Sequence, residues 1–162
     1  MAIYKIDLNN FGETEPVVLA IYTGLEDYRL AYFINLALNI NLNRSPKDIL
    51  IDIKEGKSFF SKYSFYDAKK DITWHLIQNK NEVIQSDTKQ KSNLFFDQNL
   101  EIAAQVYLIP ELKKADFFLK IEVCQNNFNT TKTTTDLNTI ETISMVYTVK
   151  KETIKSKNNL IF

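Results

Sequence analysis

The sequence predicts an α+β protein, in which a largely antiparallel sheet carries one long buried helix and a short C-terminal helix on one face. Short runs of alternating apolar and polar residues recur along most of the chain, and that two-residue period is typical of strands. Residues 24–38 have a helical period instead. Because 162 residues are enough to bury a core, we expect a single domain, 1–162, with possible lobes at 1–100 and 101–162.

The first third of the chain predicts two strands followed by the main helix. Residues 3–8 alternate, and the apolar run 17–22 is typical of a strand that is covered on both faces. Thr23 and Glu26 have the spacing of a capping box, so we expect the helix to occupy residues 24–38. Because it is apolar around more than half of its circumference, we expect it to be heavily buried. The apolar positions are Tyr28, Ala31, Tyr32, Phe33, Leu36, Ala37 and Ile40.

The middle of the chain predicts a strand and a hairpin. The strand is expected over residues 49–53, before a turn at Gly56. Residues 58–66 and 71–79 flank a short polar turn, which predicts a β-hairpin. Residues 79–93 are rich in Lys, Gln and Asn, and we expect a mobile loop there.

The last third of the chain predicts three strands and a short helix. Strands are expected over residues 102–108, 117–123 and 144–149, with two helical turns over 136–143. This order permits a parallel strand pair with a right-handed crossover. The tail, residues 150–162, ends in three apolar residues, so we expect it to pack on the body of the protein.

Charge and cysteine content argue against several classes of protein. The 20 Lys and Arg residues balance the 20 Asp and Glu residues, so no basic surface for nucleic acid is predicted. Aromatic residues are interleaved with Lys57 and Lys62, a pattern that can stack single-stranded bases, but Asp67 and Asp71 dilute its charge. Cys124 is the only cysteine, and no signal peptide or long apolar run occurs. We therefore expect a cytoplasmic protein without a membrane segment.

The most distinctive motif lies at residues 109–119. Pro110 suits the first position of a helical turn, where its missing N–H costs nothing. Glu111 follows in the first turn, where the helix dipole favours negative charge. Asp116 can accept backbone N–H groups as the chain turns into the strand at Phe117. We therefore interpret the motif as a structural corner between two strands.

This motif closely resembles the signature of the bacterial IPExxxVDY family. The matching residues are Ile109, Pro110, Glu111 and Asp116. Ala115 and Phe117 stand where the family usually has Val and Tyr, and Phe118 continues the apolar run. Residues 25–32 and 155–162 are also similar to the family. The resemblance implies a bacterial source but no particular activity, substrate or cofactor.

The same residues permit a functional interpretation. Glu111 and Asp116 are candidates for a carboxylate pair in metal or acid–base chemistry, although sequence separation alone cannot supply the required geometry. Arg29 is a candidate ligand contact, but a partner for a nearby carboxylate is the preferred role. His75, the only histidine, suits a solvated outer face better than a general base. Cys124 lacks a recognisable catalytic partner.

No catalytic constellation, metal site or cofactor site is therefore predicted. One histidine and one cysteine are too few for a zinc site, and three dispersed glycines do not form a phosphate cradle. The preferred prediction is a non-enzymatic cytoplasmic module that binds a protein partner or a second copy of itself. The alternative is a small enzyme or metabolite-binding sensor that uses carboxylates near Glu111 and Asp116.

Overall fold

A computed structural model describes residues 15–53, 56–86, 101–124 and 127–162. Within these ranges the chain forms ten strands, two α-helices and three short 3₁₀ turns. The strands are β1 (Val17–Thr23), β2 (Asn43–Arg44), β3 (Ile49–Ile53), β4 (Gly56–Phe60), β5 (Lys62–Asp67), β6 (Ile72–Gln78), β7 (Lys80–Ser86), β8 (Glu101–Tyr107), β9 (Phe117–Val123) and β10 (Ile143–Thr148). The helices are α1 (Asp27–Leu38) and α2 (Thr130–Asn138), and the 3₁₀ turns are Pro110–Leu112, Lys151–Thr153 and Lys157–Leu160.

Six strands form an antiparallel sheet in the order β10-β1-β9-β6-β5-β2. Strand β9 lies inside it, with Leu119 opposite Leu19 of β1 on one side and opposite Leu76 of β6 on the other. Six of the seven residues of β9 are buried, because both faces of the sheet are covered there. Strands β3 and β4 form a separate hairpin, and β7 pairs with β8. The prediction of an α+β fold with a mostly antiparallel sheet is confirmed.

One face of the sheet packs against the helices. Leu30 and Ile34 of α1 and Leu137 of α2 are fully buried there. The sheet residues in the same core cluster are Leu19, Ile21, Tyr63, Ile72, Trp74, Leu76, Phe117, Leu119, Ile121, Val123, Ile143 and Val146. The alternation of strand residues thus directs every second side chain toward the helical layer.

The opposite face is covered by the β3–β4 hairpin, the segment after β8 and the C-terminal segment. Its core contains Phe60 of β4, the segment around Leu108 and Ile109, and Leu160 of the last 3₁₀ turn. The Leu160 backbone oxygen accepts a hydrogen bond from the Lys120 ammonium at 2.8 Å. The prediction that the tail packs on the body is therefore confirmed.

The main helix begins three residues later than the predicted position and ends where predicted, whereas its predicted burial was wrong. Helix α1 begins at Asp27 rather than at residue 24, and Glu26 caps it without a side-chain hydrogen bond. The Thr23 hydroxyl is used elsewhere, because it donates to the Thr142 oxygen at 2.8 Å and accepts from the Leu25 N–H at 3.2 Å. Burial is one-sided, since α1 rests on the sheet and turns its outer side to solvent. The large apolar side chains on that outer side are Tyr28, Tyr32 and Leu36, with exposed fractions of 59%, 60% and 64%.

The middle of the chain contains more strands than predicted. The predicted strand 58–66 is interrupted at Ser61, because β4 pairs with β3 whereas β5 pairs with β6. The β5–β6 hairpin itself is confirmed. Residues 80–86 form strand β7 instead of a mobile loop, because backbone pairing with β8 does not require apolar side chains. The predicted strand at residues 3–8 and the rest of the predicted loop, 87–93, lie outside the described residues.

Two further differences concern the last third of the chain. Helix α2 begins six residues before the predicted position, because Asn129 caps it by accepting the Lys132 N–H at 2.9 Å. The hydroxyls of Thr134 and Thr135 bond carbonyls four residues earlier, which places these residues within the helix. Strands β9 and β10 run parallel, since both are antiparallel to β1, but they are not a hydrogen-bonded pair because β1 lies between them.

Candidate functional site

The Pro110 motif forms a 3₁₀ turn, and hydrogen bonds from the Asn79 side chain stabilise this turn. Asn79 is fully buried, and its amide nitrogen donates to the carbonyls of Leu112 and Ala115 at 3.0 and 2.8 Å. Its side-chain oxygen accepts the N–H of Ile109 at 2.9 Å. Its backbone also bonds the chain on both sides of the turn. One side chain therefore satisfies three backbone groups of the motif, as buried polar groups require.

Sequence analysis missed Asn79, because it was assigned to the start of a polar loop. A usable signal was present: two amide residues, Gln78 and Asn79, end the predicted strand after the apolar residues Leu76 and Ile77. An amide can donate and accept at once, which suits a position beneath a turn with free carbonyl and N–H groups.

Asp116 joins three parts of the chain. One carboxylate oxygen accepts the Thr23 N–H at 2.9 Å, and the other accepts from the Lys80 ammonium at 2.6 Å. The Asp116 N–H donates to the Ile21 oxygen at 3.0 Å. The expected acceptor role is thus present, but its backbone donor comes from the end of β1 rather than from the motif's own turn. Both carboxylate oxygens are engaged in contacts that stabilise the fold.

Glu111 points to a different neighbour. It is exposed and accepts a hydrogen bond from the Ser156 hydroxyl at 2.9 Å, which ties the motif to the C-terminal segment. Glu111 and Asp116 thus share no hydrogen-bond partner among the described residues. Arg29 is exposed on α1, and its guanidinium forms no ion pair with another described residue. The three candidate ligand contacts are therefore not joined by any hydrogen bond or ion pair within the described ranges.

An open cavity of about 480 Å³ lies beside Asp116 at the amino-terminal end of α1. Its charged residues are Glu26, Asp27, Asp116 and Lys80, so carboxylates outnumber the one cation. The remaining lining residues are Thr23, Gly24, Leu25, Tyr28, Gln78 and Phe117. This excess of negative charge disfavours an anionic ligand and favours a cationic one. Neither Glu111 nor Arg29 lines this cavity.

His75 is more enclosed than predicted. Its Nδ1 lies 2.8 Å from the Ser64 hydroxyl, and its ring packs edge-on against Phe162 with centroids 5.0 Å apart. Burial lowers the pKa of His75 to about 4, because desolvation disfavours the imidazolium. The nearby Glu122 carboxylate opposes this shift, while the ammonium groups of Lys62 and Lys120 reinforce it. The imidazole is therefore neutral near pH 7, and the expectation of a solvated histidine was wrong.

Cys124 is exposed at the end of β9. Hydrogen bonding to the Asp71 carboxylate raises the pKa of its thiol, and the negative charge of Asp71 acts in the same direction. Because the thiolate is the reactive form, this environment makes Cys124 a poor nucleophile near neutral pH.

The outer side of α1 forms an apolar surface, the α1 face, defined by Tyr28, Tyr32, Phe33 and Leu36. Tyr32 and Phe33 pack edge to face with ring centroids 5.5 Å apart. A groove of about 420 Å³ continues this face between α1 and the segment before β10. The groove is lined by Phe33, Leu36, Ala37, Ile140, Glu141 and Thr142. Large apolar patches of this kind often mark interaction sites on soluble proteins.

Comparisons with known proteins give no independent assignment: no family model, no curated protein and no solved structure matches this chain. The resemblance to the IPExxxVDY family thus remains a prediction from the motif. Within the described ranges, no group of three or more His, Cys, Asp or Glu side chains is placed to hold a metal ion. The described helices are also too short or too polar to cross a membrane.

Proposed function

We propose that this chain is a non-enzymatic protein-interaction or self-associating module that docks its partner on the α1 face. The observation that carries the proposal is the exposure of Tyr28, Tyr32 and Leu36, each 59% or more, on three successive helical turns. Residues spaced by four lie on one side of a helix, so these side chains form a continuous stripe. Tyrosine is enriched among residues that dominate binding energies at protein interfaces.

The energetics of the stripe support association. Fully burying one large apolar side chain contributes roughly 1.5–3 kcal/mol relative to leaving it exposed. The adjoining groove adds apolar area from Phe33, Ala37 and Ile140. A second copy is a natural partner, because a twofold dimer uses the same patch on both subunits.

Replacing Tyr32 by Glu is expected to weaken association on the α1 face. Tyr32 is central in the stripe, and Glu retains helix propensity while placing a charge in the apolar contact. We expect the dissociation constant to rise about 30-fold or more, as for a hot-spot residue worth ~2 kcal/mol. Size-exclusion chromatography with light scattering measures self-association, and a pull-down from native lysate measures binding to other proteins.

Phe59→Glu is the matched control for that experiment. Phe59 lies on β4 and is exposed to a similar degree, 53%, but does not belong to the α1 face. The control is expected to associate as the unchanged protein does. Equal losses in the two variants, or a strictly monomeric protein that captures no partner reproducibly, would contradict the proposal.

The alternative, a small enzyme or metabolite-binding sensor, is favoured by one observation, the cavity beside Asp116. In that case Asp116→Asn is expected to abolish thermal stabilisation by a cationic metabolite, because the substitution removes a carboxylate that lines the cavity. It should also lower stability by about 1 kcal/mol, since the partly exposed Lys80 ion pair is lost.

A metabolite screen by thermal shift checks this alternative, with Glu111→Gln as the control because Glu111 does not line the cavity. The alternative is rejected if no metabolite stabilises the unchanged protein. It is also rejected if Asp116→Asn lowers stability but leaves every ligand response intact, and that result supports the interpretation of the motif as a structural corner.

Cytoplasmic location and membership of the bacterial IPExxxVDY family are part of the same proposal. The single cysteine and the balanced charge support the location. The four matching motif residues support the family, and the contacts of Asn79 and Asp116 give that motif a structural role. Fractionation of the source cells tests the location, because recovery in the membrane pellet would contradict it.

A further inference from the structure

A second cavity lies on the sheet face opposite the helices. Its volume is about 260 Å³, and it is a half-open cavity bordered by the start of β1, Lys120 of the central strand and the last two 3₁₀ turns. It is lined by Glu15, Pro16, Val18, Lys120, Lys151, Ile154, Lys157, Leu160 and Ile161. None of these residues belongs to the α1 face, so the cavity is independent of the proposed function.

The floor of this cavity is apolar. Val18, Ile154 and Leu160 are buried residues of the core on this side of the sheet. Ile161 stands beside them with 74% of its surface exposed, the largest exposed fraction of the exposed large apolar side chains. An apolar body placed in the cavity would cover Ile161 and remove that surface from water, which is favourable.

The charge at the cavity is opposite in sign to that beside Asp116. Three lysines and one glutamate line it, and the carboxylate of Glu15 is paired with the ammonium of Lys151. Lys157 is exposed and forms no ion pair with another described residue. In a chain whose total charge is zero, this local excess of cations favours an anionic ligand.

Lys120 is the most buried of the three lysines that line the cavity. Its side chain is nine-tenths buried, and its ammonium donates to the Leu160 oxygen at 2.8 Å and to the Glu122 carboxylate at 2.5 Å. Two of the three N–H donors of Lys120 are used in these bonds, so Lys120 has at most one donor left for a ligand. Lys151 is paired with Glu15, so Lys157 is the cation available to a ligand head group.

We propose that this cavity binds one free amphipathic carboxylate, a medium-chain fatty acid, with its chain against Val18, Ile154 and Ile161. Its carboxylate then lies beside the exposed ammonium of Lys157. A volume of about 260 Å³ is slightly below the usual range of roughly 300–1,000 Å³ for small-molecule sites, which suits a single unbranched chain. The apolar floor and the cationic margin match the two ends of such a molecule.

Titration of the full chain with decanoate tests the proposal, with amide NMR shifts as the readout. We expect saturable shifts at Val18, Ile154, Leu160 and Ile161 below the concentration at which decanoate forms micelles. Decanol, which is neutral, should bind at least about tenfold more weakly, and decyltrimethylammonium, which is a cation, should leave these shifts unchanged. Equal binding of all three compounds, non-saturable shifts, or binding only to anionic vesicles would overturn the proposal.

Lys157→Glu provides a matched pair with Lys155→Glu. Both positions are exposed and both substitutions change the charge equally, but only Lys157 lines the cavity. Lys157→Glu is expected to weaken decanoate binding at least about tenfold, whereas Lys155→Glu should change it less than twofold. Circular dichroism checks that both variants are folded, and equal weakening in the two would show that only general charge attracts the ligand.

Discussion

Asn79→Asp is expected to lower the free energy of unfolding by about 3–5 kcal/mol at pH 7, although it changes one nitrogen atom to oxygen. The Asn79 amide nitrogen donates to the carbonyls of Leu112 and Ala115, whereas a carboxylate can only accept. The substitution therefore leaves two carbonyls without their donor and places negative charge against them in a fully buried position. Urea denaturation measures the loss.

The pH dependence of the free energy of unfolding of Asn79→Asp provides a second test. Burial among carbonyl oxygens raises the pKa of the introduced carboxyl above its unfolded value, because the charged form is disfavoured. A raised folded pKa means that the destabilisation is present at neutral pH and is relieved as the pH falls and the carboxyl regains a proton. Asn43→Asp is the control, because Asn43 is exposed and its amide donates only to the carbonyl of Asn41. A loss below about 1 kcal/mol at position 79 would show that Asn79 does not hold the turn.

The main strands could be predicted because alternation reports directly on which side chains are covered. Strand β9 and the β5–β6 hairpin follow from that period, and the apolar end of the chain predicted the packing of Leu160. Strand β7 has no such pattern, since its pairing with β8 uses backbone groups that are the same in every residue type. A polar segment of this kind is indistinguishable from a loop until its partner is known.

The errors at α1 have a related origin. Periodicity identified the apolar positions, but it could not show how many sides of the helix are covered. The core covers Leu30, Ala31 and Ile34 and leaves Tyr28 and Tyr32 exposed. The predicted capping box does not form, because the Thr23 hydroxyl donates its hydrogen bond to the backbone oxygen of Thr142, a residue far away in sequence.

The candidate site was only partly accessible from the sequence. The motif residues were identified by their resemblance to a family signature, but each one's partner comes from elsewhere in the chain. Asp116 contacts Thr23 and Lys80, Glu111 contacts Ser156, and Asn79 supports the turn from the end of β6. Such long-range contacts depend on the sheet topology, which residue spacing does not specify.

Acidification from pH 7 to pH 4.5 is expected to lower the free energy of unfolding through His75. Its folded pKa, about 4, lies below the unfolded value of about 6.5. Well above pH 6.5 the imidazole is neutral in both the folded and the unfolded state, so His75 does not change the free energy of unfolding there. Between pH 6.5 and 4 the unfolded chain binds a proton that the folded chain excludes, so stability falls with pH over this window. Because the ring is partly solvated, we expect a loss of ~1–2 kcal/mol rather than the full value of the shift.

His75→Gln isolates this contribution, because His75 is the only histidine in the chain. Gln cannot be protonated in this range, and its amide can still bond the Ser64 hydroxyl that contacts His75 Nδ1. The groups that face the imidazole, Glu122, Lys62 and Lys120, remain in the variant. Urea denaturation at pH 7, 6, 5 and 4.5 should therefore give a steeper loss for the unchanged protein than for the variant. Parallel curves for the two proteins would show that His75 accepts a proton as readily in the folded state as in the unfolded state, and that Phe162 does not shield it from solvent.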